Sequence, residues 1–491
     1  MAEKKKKAYI NFRMLMRVIG WLLALEAFFM LAPCIVGFIY GEHSGIKFLI
    51  CIGITFGSGL CMVSLKPKSK EMGKREAIML TGLTWVVLSA FGMLPFLFCG
   101  THLSITDAFF ETMSGFTTTG ASVLDSLEDV PHSILLWRCV VQWIGGLGII
   151  LFTLAVLPML NYQGGMQLFN AEVTGITHDK LRPRVSFTAQ SLWGVYLVLT
   201  LICIGLLCIS EMSVFEAVCY GLSTMSTGGF ATQDTSVSEL GNLYIKTVLI
   251  IFMFMGGVNF SLLYKLVTGK FKEFFRNEII VWYILLIVSF AVILALNVLV
   301  TGLMESWEDV TIDPLFQTVS LFSSTGLVEP DFYDWGALPV VLLVIMMIIG
   351  ACAGSTSGGA KIDRFVLLFK FVKNEFYKLM HPNAITTVTL NGKGTPTPIL
   401  MKTLAFLFLY VGVIVIGGTV LVLMHIPLKD SFFISLSAVS NTGLGTDITG
   451  INGNFAFLPD VAKWFISFLM LVGRLELFTI LILFFPSFWR K

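Results

Sequence analysis

Apolar runs alternate with short polar connections along most of this chain, and a membrane-crossing helix needs roughly 20 mostly apolar residues. Ten stretches qualify, near residues 13–40, 46–65, 76–99, 134–160, 188–210, 242–267, 279–302, 338–370, 399–425 and 461–486. Lys and Arg crowd every second connection: "KKKK" at 4–7 with Arg13 and Arg17, "KPKSKEMGKR" at 66–75, "KLRPR" at 180–184 and "KLVTGKFKEFFR" at 265–276. Lys361, Arg364, Lys370, Lys373, Lys378, Arg490 and Lys491 fall on the same side. By the positive-inside rule that side is cytoplasmic, and both termini with it. The first apolar run is longer than that of a signal peptide and no small-residue cleavage site follows, so it reads as a retained span.

Polar residues interrupt the apolar pattern in four places that look alike. They are "SGFTTTG" at 114–120, "STMSTGG" at 223–229, "SLFSSTG" at 320–326 and "SAVSNTG" at 437–443. Aligned on a shared Thr-Gly, the anchors are Thr119-Gly120, Thr227-Gly228, Thr325-Gly326 and Thr442-Gly443. Thirteen residues before the Gly stand Asp107, Phe215, Asp313 and Asp430; ten before it stand Phe110, Val218, Phe316 and Phe433; six before it stand Ser114, Leu222, Ser320 and Ser437. The second copy departs from the others. A single Thr-Gly reads as an ordinary turn, but four, each in the order span, short helix, loop, span, describe one unit used four times. The expected organisation is an appended two-helix unit at 1–70, then units at 71–165, 166–272, 273–382 and 383–491.

The segment from Asp107 to about Phe116 is too short to cross a bilayer, and Asp is a favoured N-cap, which predicts a half-depth helix followed by a returning loop. Irregular backbone at that depth is tolerated only where protein buries it or where it lines a water-filled path. Four helix C-termini aimed at one centre favour a cation there, and loop carbonyls can replace its hydration shell. The candidate potassium-binding filter is Thr117, Thr118, Thr119 and Gly120 with Met225, Ser226, Thr227 and Gly228, then Ser323, Ser324, Thr325 and Gly326 with Ser440, Asn441, Thr442 and Gly443. Glycine permits the backbone angles such a loop needs.

Composition agrees with a membrane protein. Residues are 56% hydrophobic and only 13% charged, with a mean hydropathy of +0.85, against about a quarter charged in soluble domains. A net charge of +2 argues against nucleic-acid binding. The nine cysteines form no CxxC pair and read as small buried hydrophobes.

Two further features carry chemistry. "GACAGSTSGGA" at 350–360 breaks an apolar run, and a broken helix at membrane depth should face a cavity. Gly350, Gly354, Ser355, Thr356, Ser357, Gly358, Gly359 and Lys361 are therefore gate candidates, the competing reading being a packing kink. A phosphate loop would end G-K-[ST] after a strand, which this run does not. Arg474, followed by Glu476, lies midway along the last span, where an ionisable side chain is expensive unless it faces a cavity or partner; it joins the gate set, with an Arg–Glu or Arg–carbonyl pair as the structural alternative. Glu26, Arg138 and Gln142 read as structural, Arg138 by snorkelling outward.

With "WRCVVQWIGGLGI" at 137–149, "GGVNFSLLY" at 256–264, "GACAGSTSGGAKIDR" at 350–364 and "GRLELFTILILF" at 473–484, nearly the whole chain resembles the TrkH/KtrB superfamily of potassium transporters. The leading helix pair and "LFNAEVTGITHDKLRPRV" at 168–185 favour the TrkH branch. The resemblance implies an all-α polytopic fold of four channel-like repeats plus two spans, in a bacterial inner membrane. It also implies potassium uptake driven by membrane potential, a gate at 350–360, and Arg474 as a barrier to cations. A homodimer and a TrkA-like cytoplasmic nucleotide-binding subunit are implied as partners. The filter departs from a simple potassium channel in keeping one glycine per copy, with Met225 and Asn441 replacing Thr or Ser, so a sodium-coupled or sodium-selective relative is the alternative. A polytopic enzyme would show paired carboxylates or a His cluster at membrane depth, and the sequence shows neither.

Overall fold

The computed structural model describes residues 10–67, 72–146, 148, 185–234, 242–302, 306–328, 335–384, 386–445 and 454–490. Among these the repetitive structure is helical apart from a short antiparallel hairpin, β1 (Thr389–Leu390) with β2 (Lys393–Gly394), and one isolated parallel bridge between Ser122 and Asn454. Six helical segments are long and apolar enough to cross a membrane: Phe12–Ile39, Ser44–Val63, Lys74–Phe98, Thr188–Leu207, Glu278–Thr301 and Thr397–Leu423. Large apolar side chains on their outer faces, such as Val300 and Phe408, are exposed. Seven cysteines are buried as expected, whereas Cys61 and Cys208 are exposed.

The N-terminal part begins with α1 (Phe12–Phe29) and α2 (Leu31–Ile39), which α3 (Ser44–Val63) packs against. Gly20 and Gly59 face each other at the α1–α3 crossing; a Cβ on either would stand less than 3.0 Å from the other's carbonyl oxygen. Small residues are what let membrane helices approach this closely.

Four short helices then point into the protein: α6 (Ile105–Phe116), α9 (Val214–Ser226), α14 (Trp307–Phe322) and α18 (Leu428–Ser440); α4 (Lys74–Gly92) and α5 (Leu94–Phe98) precede the first, and α7 (His132–Gly146) and α8 (Val185–Leu207) lie between the first and the second. Ser104, not Asp107, caps α6, accepting from the Asp107 N–H at 3.1 Å. Ser213 and Glu216 form a reciprocal capping box on α9. Asp107 and Asp313 instead make ion pairs across elements, with Lys463 and with Lys246 at 2.7 Å.

The helices that follow these four end short or break. α7 ends at Gly146, α10 (Leu243–Gly256) gives way to α11 (Phe260–Val267) through a bend of 112°, α15 (Ala337–Ile349) is separated from α16 (Ile362–Met380), and α19 (Asp460–Arg474) from α20 (Leu477–Leu481). The break at 350–361 is the one expected. That after Gly256 corrects the continuous span read at 242–267: Gly256 and Gly257 weaken the helix and Asn259 starts a new one, accepting from the Ser261 N–H at 2.8 Å. The stretch 149–184, with the loop resembling the TrkH branch, lies outside the described residues.

Candidate functional site

Each of the four short helices ends in the same way. Thr119, Gly228, Thr325 and Thr442 donate their N–H groups to the carbonyls of Ser114, Ser223, Ser320 and Ser437 at 2.8, 3.0, 2.9 and 3.0 Å. One residue earlier, Thr118, Thr227, Ser324 and Asn441 have φ of 52°, 54°, 54° and 52°; one residue later, Gly120, Gly229, Gly326 and Gly443 have φ of 86°, 77°, 76° and 72°. Such left-handed turns gather N–H groups on one side of the backbone, and those of Thr119, Gly228, Thr325 and Thr442 face the helix.

This geometry corrects the register of the second copy. Its anchor glycine is Gly229, and Gly228 stands where the other copies have Thr119, Thr325 and Thr442. "TGG" offers two glycines, and aligning on the first displaced the copy by one residue. In the observed register the acid thirteen places upstream is present in every copy, as Asp107, Glu216, Asp313 and Asp430, and the serine six places upstream likewise, as Ser114, Ser223, Ser320 and Ser437. Met225 lies within the last turn of α9, not in the loop.

The four loops close on one another. A Cβ built on Gly120 would come less than 3.0 Å from the carbonyl oxygen of Gly228, one on Gly229 from that of Thr325, one on Gly326 from that of Thr442, and one on Gly443 from that of Thr119. The contacts run through the copies in order and return to the start. Only glycine fits, by space and by its left-handed φ.

Behind the ring each loop is braced. Hydroxyl pairs link Thr117 to Thr119 at 2.8 Å, Ser323 to Thr325 at 2.7 Å and Ser440 to Thr442 at 2.9 Å. Gly228 has no hydroxyl, and Gln142 takes over: its Nε2 donates to the Gly228 carbonyl at 2.7 Å, and its Oε1 accepts from Ser223 Oγ at 3.1 Å and from the Phe230 N–H at 3.3 Å. Asn441 donates to Thr119 Oγ1 at 3.0 Å, tying the last copy to the first. Arg138 does not snorkel. It is 2% exposed and its Nε donates to Glu111 Oε1 at 2.7 Å, while Glu111 also accepts from the Val123 N–H at 2.9 Å and the Arg138 guanidinium lies 4.1 Å from the Phe230 ring centre. Sequence reading missed Glu111, although a second acid, beyond the first turn of a half-depth helix, was the available signal.

Outside the ring lies a cavity of about 310 Å³ bordered by Gly120, Gly229, Gly326 and Gly443 and by the carboxylates of Asp125 and Asp234. On the opposite side the 350–361 loop presses against the helix ends. Thr356 Oγ1 reaches the carbonyls of Gly256 and Met225 at 3.0 and 3.3 Å, Gly358 N–H donates to Ser324 Oγ, and Gly359 N–H donates to the Ser440 carbonyl at 3.0 Å. Gly350, Gly354 and Gly359 have positive φ, as does Lys361, whose ammonium is buried and donates to the Ser357 carbonyl. Ser355 shares a hydrogen bond with Ser357 at 2.9 Å.

Arg474 spans this layer, donating to the carbonyls of Thr356, Gly145 and Gly146, the Gly145 bond at 2.7 Å. Of the pairs expected for it, the carbonyl one forms; Glu476 engages Arg364 instead. Glycines not singled out from the sequence give the helices their close fit here. Gly145 abuts the Phe116 carbonyl, and Gly473 that of Val439.

The six long apolar helices define a multi-pass membrane protein. The family model described as TrkH, cation transport protein, matches residues 46–491. The chain belongs to the TrkH family. The Trk system potassium uptake protein TrkH of Salmonella typhimurium is 36% identical over 487 residues, covering 98% of this chain and 100% of that one. The Trk system potassium uptake protein TrkG of Escherichia coli is 33% identical over 485 residues, covering 98% and 99%. The crystal structure of the potassium transporter TrkH from Vibrio parahaemolyticus matches with a TM-score of 0.88 at 33% identity, covering 98% of this chain and 100% of that one.

Proposed function

We propose that this chain takes up potassium through a single gated pore, with the four-loop ring as its selectivity filter. The observation that carries the reading is the closed circuit of glycine-to-carbonyl contacts from Gly120 round to Gly443. A circuit of this kind surrounds an axis with peptide oxygens, and the four helices behind it point their partial negative ends the same way. Both favour a desolvated monovalent cation. The names of the relatives, potassium uptake proteins, support the choice of ion.

In this reading ten membrane-crossing segments form an N-terminal pair and four pore units, bounded at 70, 165, 272 and 382. The basic connections face the cytoplasm, the 310 Å³ cavity faces outward, and the membrane is a bacterial inner membrane. Membrane potential drives entry with roughly 2.3 kcal/mol per charge per 100 mV. The 350–361 loop and Arg474 close the inner side; release of the Arg474 bonds and displacement of the loop open it. The chain works as a homodimer, and a TrkA-like nucleotide-binding subunit supplies the trigger from the cytoplasm.

The test is rubidium and sodium flux into liposomes holding the purified protein, with potassium and sodium as competitors. Potassium competing with rubidium while sodium fails to do so is the expected outcome. Preference for sodium would transfer the chain to the sodium-selective alternative.

A further inference from the structure

A second cavity, about 570 Å³, opens between the α11 to α12 (Phe271–Phe275) connection and the β1–β2 hairpin. It lies where α13 (Glu278–Thr301) and α17 (Thr397–Leu423) begin, at the end of the helices where the basic connections lie. Lys265, Lys272, Arg276 and Lys393 line it, against the single carboxylate of Glu273. That carboxylate is already engaged, with Lys265 at 3.5 Å and Lys270 at 3.9 Å. Among the described residues, no ion pair involves Lys272, Arg276 or Lys393.

The walls are fixed. Asn391, at the hairpin turn, accepts from the Glu278 N–H at 2.8 Å and donates its own N–H to the Glu278 carboxylate at 3.1 Å. Lys370 joins that carboxylate and donates to the Thr389 carbonyl at 2.7 Å. Beside the cavity, Phe271 and Phe275 are 58% and 62% exposed while Phe274 is buried. Exposed aromatics interleaved with Lys and Arg at the end of a membrane helix mark the lipid interface. A basic pocket at that level fits a phosphate attached to hydrocarbon.

We propose that this cavity holds the headgroup of an anionic phospholipid from the inner leaflet, with its acyl chains along Phe271 and Phe275. The leaflet assignment rests on the orientation proposed above; the lipid site itself does not. Lys272, Arg276 and Lys393 meet the phosphate, and the hairpin carrying Lys393 becomes the part of the cytoplasmic surface that responds to lipid charge.

The experiment is native mass spectrometry of the full-length protein released from nanodiscs of mixed phosphatidylglycerol and phosphatidylcholine. The wild type should retain phosphatidylglycerol selectively. Lys272→Gln, Arg276→Gln and Lys393→Gln should each weaken retention about fivefold, on the order of 1 kcal/mol per charge. Lys373→Gln and Lys402→Gln, which remove charge elsewhere on the same side, should leave it unchanged. Equal losses in these controls would reduce the effect to general surface charge and overturn the site, as would undiminished retention in the three pocket variants. Displacement of the lipid by inorganic phosphate or by a nucleotide at comparable concentration would assign the cavity to a soluble ligand and overturn it too. Rubidium flux of the same variants in phosphatidylcholine vesicles reports on the transport reading separately.

Discussion

The ring and the loop behind it are built from the same residue types, Gly, Ser and Thr, but they are held in different ways. In the ring three features occur four times: the same backbone hydrogen bond, the same pair of left-handed residues, the same glycine against the next carbonyl. In the loop each contact occurs once, Thr356 on Gly256, Gly359 on Ser440, Arg474 on Thr356. A hydrogen bond contributes about 1 kcal/mol net, so a handful of single contacts can be released together within ordinary binding energies. The ring can yield only by opening the whole circuit. On the proposed reading, rigidity belongs to the repeated layer and gating movement to the unrepeated one.

The sharpest way to break this comparison is at the adjacent glycines of the second copy. Gly229→Ala meets the Thr325 backbone and carries a positive φ, adding roughly 1–2 kcal/mol of conformational cost to about 1–3 of overpacking. Gly228→Ala meets only the Gln142 side chain. Rubidium uptake in a potassium-uptake-deficient bacterium should vanish for the first and survive in part for the second. Gly120→Asp and Gly443→Asp should match Gly229→Ala. Equal losses at Gly228 and Gly229 would remove the assigned register.

Next in size is the bracing of the ring. Arg138→Ala strands a buried carboxylate, a loss of about 3–5 kcal/mol; the detergent-solubilised protein should melt well below wild type, and Arg138→Met with Glu111→Leu should recover much of the difference. Smaller again, Arg474→Ala should raise cation leak about tenfold, a barrier change of roughly 1.4 kcal/mol, with selectivity among alkali ions retained. Deleting residues within 355–357 should do the same. Unchanged conductance in both would leave the loop without its gating role.

The smallest effect lies outside the membrane, at Glu42. Burial raises its carboxyl pKa, but donation from the Ser44 and Ser133 hydroxyls and from the His132 and Ser133 N–H groups outweighs that and holds it below the usual range. A depressed pKa contributes stability that is present above the unfolded value, about 4.3, and is lost as pH falls through the folded one. The melting-temperature gap between wild type and Glu42→Gln should therefore be full at neutral pH and narrow under acid. A gap that widens under acid would reverse this sign.

Hydropathy made the long helices legible, because burial in lipid demands an unbroken apolar run. It passed over the bend after Gly256, because the residues on both sides of it are equally apolar; only Gly256, Gly257 and Asn259 mark it. Three copies of the ring were readable in their correct register. The second copy is displaced because a Thr-Gly match outweighs Glu216 and Ser223, the residues that set helix start and helix end. Glu111 and Arg138 are 27 positions apart, and no local pattern could pair them.

Had this circuit been assembled from four identical subunits, any guanidinium at the depth of Arg474 would arrive in quadruplicate, and the crowded positive charge would drive the axis apart. Because all four quarters belong to one polypeptide, a single quarter can carry it. One covalent chain thus permits charges that break fourfold symmetry, Arg474 and Lys361 each standing once beside a ring whose backbone contacts repeat four times.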